Sequence, residues 1–278
     1  MRRSVVTLAI AAMVAMVLAG LFIGSGVYDI AATEQHTRPV YWLIEATMRQ
    51  SIRFHARDIA APPLDDAARV RTGRSLYARN CARCHGAPGV APESFALGLT
   101  PSPANLAYAA REWPAAQLFW TVRRGLKMTG MPAWEFRLGD DQIWSLVAYL
   151  QVMPAESPSD YHAATTNAER ETDQALTQPE SQPTHAPDPE RGIVALRQYG
   201  CATCHRIPGV VGADTPVGPP LAHLAPRRFI AGAVSNDADG LMRWLRDPQA
   251  LHAGSAMPDL GVTDRDARDM AAYLVGLQ

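Results

Sequence analysis

The chain has four cysteines, and all of them lie in two copies of one pattern: Cys81-Ala82-Arg83-Cys84-His85 and Cys201-Ala202-Thr203-Cys204-His205. Two thiols three positions apart, followed at once by an imidazole, could serve several chemistries. A dithiol redox centre wants a strand–helix–strand setting, and neither motif is flanked by β-branched runs of strand length. Zinc wants four ligands in a closed site. The two cysteine pairs could in principle supply them, but both histidines would then have no task. A disulfide within Cys-x-x-Cys closes a tiny loop and stabilises little.

A fourth reading uses every residue of the motif. Each thiol can add to one vinyl group of a porphyrin, and the next residue then offers its imidazole to the iron. Cys-x-x-Cys-His is the attachment sequence for covalent haem. Haem iron has a further axial position, and methionine there raises the potential. Met131 precedes Pro132, and Met257 precedes Pro258. The proline stiffens each turn, and both Met-Pro pairs stand just before the last helical segment of their half. Met128 is the other choice in the first half. Met242 and Met270 fall on helical stripes and read as core. His223 and His252 are the runners-up in the second half. His36, His55, His162 and His185 fall outside both halves and read as surface residues.

The elements that must position these groups are helices. Residues 65–154 run as helix, motif, Pro/Gly/Ala-rich loop, helix, Met-Pro and closing helix, and residues 191–278 repeat that order. Ile143, Leu146, Val147 and Leu150 give the first closing helix its stripe; Ala267, Met270, Ala271 and Leu274 give the second. Asp65-Asp66 and Thr263 are the caps. The pattern predicts an all-α protein of two small domains. Each is too small to bury a large core of its own, and a haem would fill that need. Net charge is −1, so no basic field for nucleic acid exists.

Residues 1–26 read as a membrane anchor or signal. Arg2-Arg3 is followed by an uncharged run from Val5 to Ile23, nearly long enough to cross a bilayer. The arginines ahead of the run place the N-terminus in the cytoplasm and the rest of the chain in the periplasm. Residues 27–64 contain an amphipathic helix over 37–59, suited to the lipid surface, a partner subunit or its own domain. Residues 155–190 are rich in Pro, Ser, Thr and acid and predict a flexible tether, with a short helix around 166–176.

The two halves resemble class I cytochromes c. In the second, the text that carries the likeness is CATCH, Gly218-Pro219 with Leu221, Arg227, Leu241-Met242-Arg243-Trp244-Leu245, Asp247-Pro248, Met257-Pro258 and Tyr273-Leu274. The first is similar to domains of the cbb3-oxidase cytochrome subunit, through NCARCHGAPGV, LFWTVRRGLKMTGMPAW and IWSLVAYL. The resemblance implies covalent haem c on Cys81 and Cys84, and on Cys201 and Cys204. It implies axial pairs His85/Met131 and His205/Met257. It also implies a Pro219 carbonyl on the iron-bound histidine, with Pro103 in that role in the first half. Arg227 would lie near a propionate and Trp244 beside the methionine. Asn236 stands where the family often has a tryptophan that bonds a propionate. The implied function is electron transfer between a quinol-oxidising complex or dehydrogenase and a terminal oxidase. Alternatives are an integral oxidase or dehydrogenase subunit, and a dihaem peroxidase.

Overall fold

The computed structural model describes residues 2–175, 186–212 and 217–278. His185 and positions 176–185 of the expected tether lie outside them. Contacts divide the chain into two compact units, Met1–Met131 with Asp141–Ala163, and Pro132–Asp140 with Ala164–Gln278. The structure is mostly helical. Among the described residues the principal helices are α1 (Arg2–Ser25), α2 (Arg38–Ala56), α3 (Ala67–Asn80), α4 (Ala115–Arg124), α5 (Asp140–Val152), α6 (Pro158–Ala175), α7 (Pro189–Gln198), α8 (Ala238–Arg246) and α9 (Asp264–Leu274). One small hairpin pairs β1 (Phe229–Ile230) with β2 (Val234–Ser235), Phe229 opposite Ser235.

Helix ends follow local chemistry. Asp66 caps α3 by accepting from the Ala68 and Arg69 amides. Asp188 does the same for α7, with Pro189 at its first position. Thr263 caps α9 through the Asp266 amide. Each side-chain acceptor satisfies an amide that the helix itself cannot. Gly125, at φ 65°, ends α4, because a left-handed residue there carries no Cβ penalty in glycine.

In the first unit α3 crosses α5 at the closest approach glycine allows. A Cβ on Gly73 would lie 1.8 Å from the Ser145 carbonyl oxygen. Beside this crossing the Tyr77 and Tyr149 rings pack at 5.3 Å. The predicted stripe of α5 is buried, but burial runs without a break from Ile143 to Leu150. The residues between the stripe positions are covered too, Trp144 by Phe119, whose ring stacks on it at 4.1 Å.

The C-terminal half of α2 packs on this same unit. Ile52 and Ala56 are buried, the His55 ring stacks on Trp120 at 5.4 Å, and Arg49 pairs with Glu112 at 2.6 Å. Among the three surfaces open to this helix, its own domain takes that half. His55 is therefore a stacking partner as well as an exposed residue.

The acidic segment is not extended where it begins. Helix α6 occupies Pro158–Ala175, longer than the short helix expected around 166–176. Tyr161 is buried. Glu156 accepts from the Tyr149 hydroxyl at 2.6 Å and pairs with Arg74 at 2.7 Å. One aromatic and one paired carboxylate secure a stretch whose mean composition is that of a linker.

The second unit repeats the crossing. A Cβ on Gly192 of α7 would lie 2.1 Å from the Asp269 carbonyl oxygen in α9. The stripe Ala267, Met270, Ala271 and Leu274 is buried in a core shared with Leu196, Leu241, Trp244 and Leu245. Two buried acids on α9 are paired, as burial requires. Asp269 accepts from the Asp188 amide and the Arg191 guanidinium. Asp266 accepts from the Tyr199 hydroxyl and from Arg137, both at 2.8 Å.

Candidate functional site

Each cysteine motif is wound into a helical turn. In the first, the Cys84 and His85 amides both donate to the Cys81 carbonyl, at 3.1 and 2.9 Å. In the second, Cys204 and His205 donate to Cys201, at 3.2 and 2.9 Å. Positions i, i+3 and i+4 of a turn share one face, so both thiols and the imidazole point the same way in each copy.

The thiols are free and partly covered. Burial pushes the Cys81 thiol up to about 12 and the Cys201 thiol up to about 11. Redox dithiols work through a thiolate of lowered pKa, and these thiols are shifted the other way. Among the described residues no three His, Cys, Asp or Glu side chains converge on a metal position.

Both histidines are held alike. The His205 Nδ1 lies 2.8 Å from the Pro219 carbonyl oxygen. The His85 Nδ1 lies 2.6 Å from the Ala104 carbonyl oxygen. A carbonyl only accepts, so each Nδ1 carries a proton, and in the neutral imidazole Nε2 is the nitrogen with the lone pair. That is the tautomer an axial ligand needs, oriented from behind as metal-bound histidines are. In the first unit Ala104 takes the role expected of Pro103. Proline fixes its own φ but does not decide which carbonyl of the loop turns inward.

The His205 ring packs closely on the chain at Gly218, where a Cβ would be 2.4 Å from Cε1. A web of bonds supports this loop. The Arg227 guanidinium donates to the Pro220 carbonyl at 2.8 Å. The Asn236 amide donates to the Leu224 and Arg227 carbonyls, at 2.7 and 2.9 Å. Both amide protons of Asn236 are thus spent on the backbone, and none remains for the propionate bond considered from sequence. A tyrosine ties down the chain after each motif. Tyr77 donates to the Gly86 carbonyl, and Tyr273 to the Pro208 carbonyl, from opposite ends of the two domains.

The methionine turns share a device that the Met-Pro pairs alone did not reveal. The Met131 amide donates to Thr129 Oγ1 at 3.0 Å, and that hydroxyl donates to the Leu126 carbonyl. The Met257 amide donates to Ser255 Oγ at 3.1 Å. The signal was legible as Ser/Thr-x-Met-Pro, present at both places. Met131 and Met257 are half-buried, and Met257 packs on the core that contains Trp244. Met128 is 97% exposed, and Met270 is buried in the core. His223 and His252 are exposed. Removing the hydroxyl in Thr129→Val or Ser255→Ala should loosen its turn by about 1 kcal/mol, the net worth of a hydrogen bond. Denaturant unfolding followed by circular dichroism would register this as a lower midpoint. An unchanged midpoint in both variants would show that the hydroxyls are bystanders.

Comparison with known proteins agrees with this double geometry. The family profile described as cytochrome C oxidase, cbb3-type, subunit III matches residues 68–150. The profile described as cytochrome c matches residues 189–278. The chain carries two cytochrome c-type domains. Cytochrome c oxidase subunit 2 of Alkalihalophilus pseudofirmus is 33% identical over 89 residues, 32% of this chain and 25% of that protein. The cbb3-type cytochrome c oxidase subunit CcoP of Azospirillum brasilense is 35% identical over 88 residues, 31% of this chain and 28% of that protein. Each match therefore spans little more than a quarter of the relative's length. No solved structure matches the chain.

Cytochrome c domains hold haem c covalently and transfer electrons. The residues present fit that group: paired thiols and an imidazole on one face, a fixed tautomer, and a glycine surface against the ring. When bound, haem supplies a one-electron iron centre. The chain's part is to orient His85 and His205 and to place Met131 and Met257 on braced turns. At the N-terminus, Ser4–Ser25 forms a helix long and apolar enough to cross a membrane, with mean hydropathy 2.6.

Proposed function

We propose that this chain is a membrane-tethered dihaem cytochrome c that passes electrons between respiratory partners on the periplasmic side. One observation carries the reading. The same arrangement of carbonyl-held histidine, one-sided thiol pair and hydroxyl-braced methionine occurs in both domains. Cys81 and Cys84 would carry one haem and Cys201 and Cys204 the other, with His85/Met131 and His205/Met257 as axial pairs. Arg2 and Arg3 precede the apolar helix, and basic residues favour the cytoplasmic side, which supports a periplasmic position for both domains. The text between the domains is rich in Pro, Ser, Thr and acid, a composition that suits a movable link between donor and acceptor. A quinol-oxidising complex or dehydrogenase suits the donor, and a terminal oxidase the acceptor.

The two relatives are named as oxidase subunits, which favours a second reading: an integral cytochrome subunit of such a complex. Co-purification with large membrane subunits would select it over a free carrier. A dihaem peroxidase needs one openable axial position, and the matched methionine turns argue against that.

The test is a haem count on the exported protein together with Met131→Ala and Met257→Ala. Two haems per chain are expected. Each variant should remove about half of the iron–sulfur band and lower one midpoint potential by roughly 0.2 V, a fraction of the ~0.8 V span that axial ligands command. One haem per chain, or an unchanged band in either variant, would sink the assignment.

A further inference from the structure

Helix α2 begins differently from the way it ends. Ile52 and Ala56 are buried in the first unit, but Tyr41, Trp42, Leu43 and Ile44 are exposed by 57, 69, 59 and 50%. Four consecutive residues of a helix sweep about 300° around its axis, at about 100° each. A protein face would cover one side of such a turn and leave the others wet. A fluid apolar medium covers all sides at once.

The segment before α2 fixes where this turn sits. The Tyr28 ring lies 6.3 Å from Phe22, near the end of the apolar helix α1. Its hydroxyl bonds the His36 ring nitrogen at 2.7 Å, and the two rings stack at 6.2 Å. The chain from 28 to 36 is thereby folded back on itself, and α2 starts two residues after a His36 ring that is joined through Tyr28 to the end of α1. The same loop is fastened to the domain where the Thr100 hydroxyl donates to the Ala32 carbonyl at 2.9 Å.

We infer that the first turns of α2, Tyr41 to Ile44, enter the lipid interface of the membrane that α1 crosses, as a second attachment that does not span. Tyrosine and tryptophan have an apolar body and a polar tip and favour the headgroup level. Leucine and isoleucine add apolar area below it. The buried half of the helix, with His55 on Trp120 and Arg49 on Glu112, makes a stiff joint to the domain. The first domain is therefore held at a fixed height and attitude over the bilayer and does not swing on a free leash. This inference rests on the reading of α1 as a membrane anchor.

The test uses the full chain in phosphatidylcholine–phosphatidylglycerol vesicles that contain a phospholipid with a diazirine near the top of its acyl chain. After illumination, cleavage at glutamates separates the peptide ending at Glu34, which contains α1, from peptide 35–45, which contains the exposed turn. Label is expected on both. In a Trp42→Gln/Leu43→Gln double variant, with haem content and helicity unchanged, label on peptide 35–45 should fall to background while the α1 peptide stays labelled. Label on the α1 peptide alone in the natural chain would overturn the inference and leave the anchor standing. Absence of label from both would overturn the anchor reading itself. Undiminished label on peptide 35–45 in the double variant would show that Tyr41–Ile44 is not the inserting turn.

Discussion

Alanine at Gly73 is expected to destabilise the first domain, and alanine at Gly192 the second, each without disturbing the other. The added Cβ at Gly73 would meet the Ser145 carbonyl oxygen at 1.8 Å and the Tyr149 Cβ at 2.9 Å. At Gly192 it would meet the Asp269 carbonyl oxygen at 2.1 Å and its carbon at 2.6 Å. The carbonyl atoms are main chain inside helices, so they cannot turn aside as a flexible side chain would. The two helices of each pair must move apart, and the tyrosine contact beside the first crossing and the Asp188 and Arg191 bonds to Asp269 beside the second must stretch. Alanine gains up to about 1 kcal/mol over glycine in helix propensity. Overpacking of a tight contact costs about 1–3 kcal/mol and sometimes more. The overlap here lies at the severe end, and the cost should exceed the gain by at least about 2 kcal/mol. That is a large share of the ~5–15 kcal/mol that holds a domain folded. Denaturant unfolding followed at the haem band should show one transition moved to lower denaturant and one unmoved. A shift of both together would mean that the domains unfold as one unit. A shift of neither would mean that the crossings are looser than the structure shows.

These glycines show where sequence reading stopped. The helices themselves were legible: the stripes at Ile143, Leu146, Val147 and Leu150 and at Ala267, Met270, Ala271 and Leu274 are buried as their spacing predicts, and the caps at Asp66 and Thr263 form. Periodicity reports which face of a helix is apolar. It does not report how near the partner helix comes, and so nothing in the spacing marks Gly73 and Gly192 as crossing points. The cysteine motifs were legible because their chemistry lies in local spacing. The histidine supports were less so. The Gly218-Pro219 pair carried the likeness for the second domain, but in the first the carbonyl that turns inward belongs to Ala104, set by the path of a loop with no fixed period. Composition over 155–190 predicted a tether, yet Tyr161, Glu156 and the hydroxyl of Ser157, which accepts from the Asp160 amide, are enough to begin a helix at Pro158. A mean over many residues hides three well-placed ones. The bracing hydroxyls of Thr129 and Ser255 were present in the text twice, and only the geometry showed what they do.

The second large effect should follow from alanine at Gly218. Its Cβ would lie 2.4 Å from Cε1, 2.7 Å from Nδ1 and 2.9 Å from Nε2 of His205, inside contact distance of most of the ring. Gly218 is not in the left-handed region, so the cost is one of contact and not of backbone strain. Either party can yield, and the result is the same. If the imidazole swings away, it leaves the Pro219 carbonyl. If the loop retreats, it takes that carbonyl with it, against the Gly218 amide bond to the Cys204 carbonyl at 2.8 Å and the Arg227 bond to Pro220. The Nδ1 proton then loses its fixed acceptor, and the Nε2 lone pair its fixed direction. Loss of such a support weakens metal ligation by roughly 10–100-fold in known sites. In the loaded protein the second domain should show a lowered denaturant midpoint for histidine ligation and an altered potential, with the first domain as an internal standard. Pro219→Ala is the companion variant. It keeps the carbonyl that holds Nδ1 and removes only the ring that stiffens the loop, so its effect should be small. Equal damage from both variants would assign the role to loop stiffness and not to the Gly218–imidazole contact. Unaltered ligation in Gly218→Ala would mean that His205 is not seated on this glycine, and the orientation argument for the second domain would fail with it.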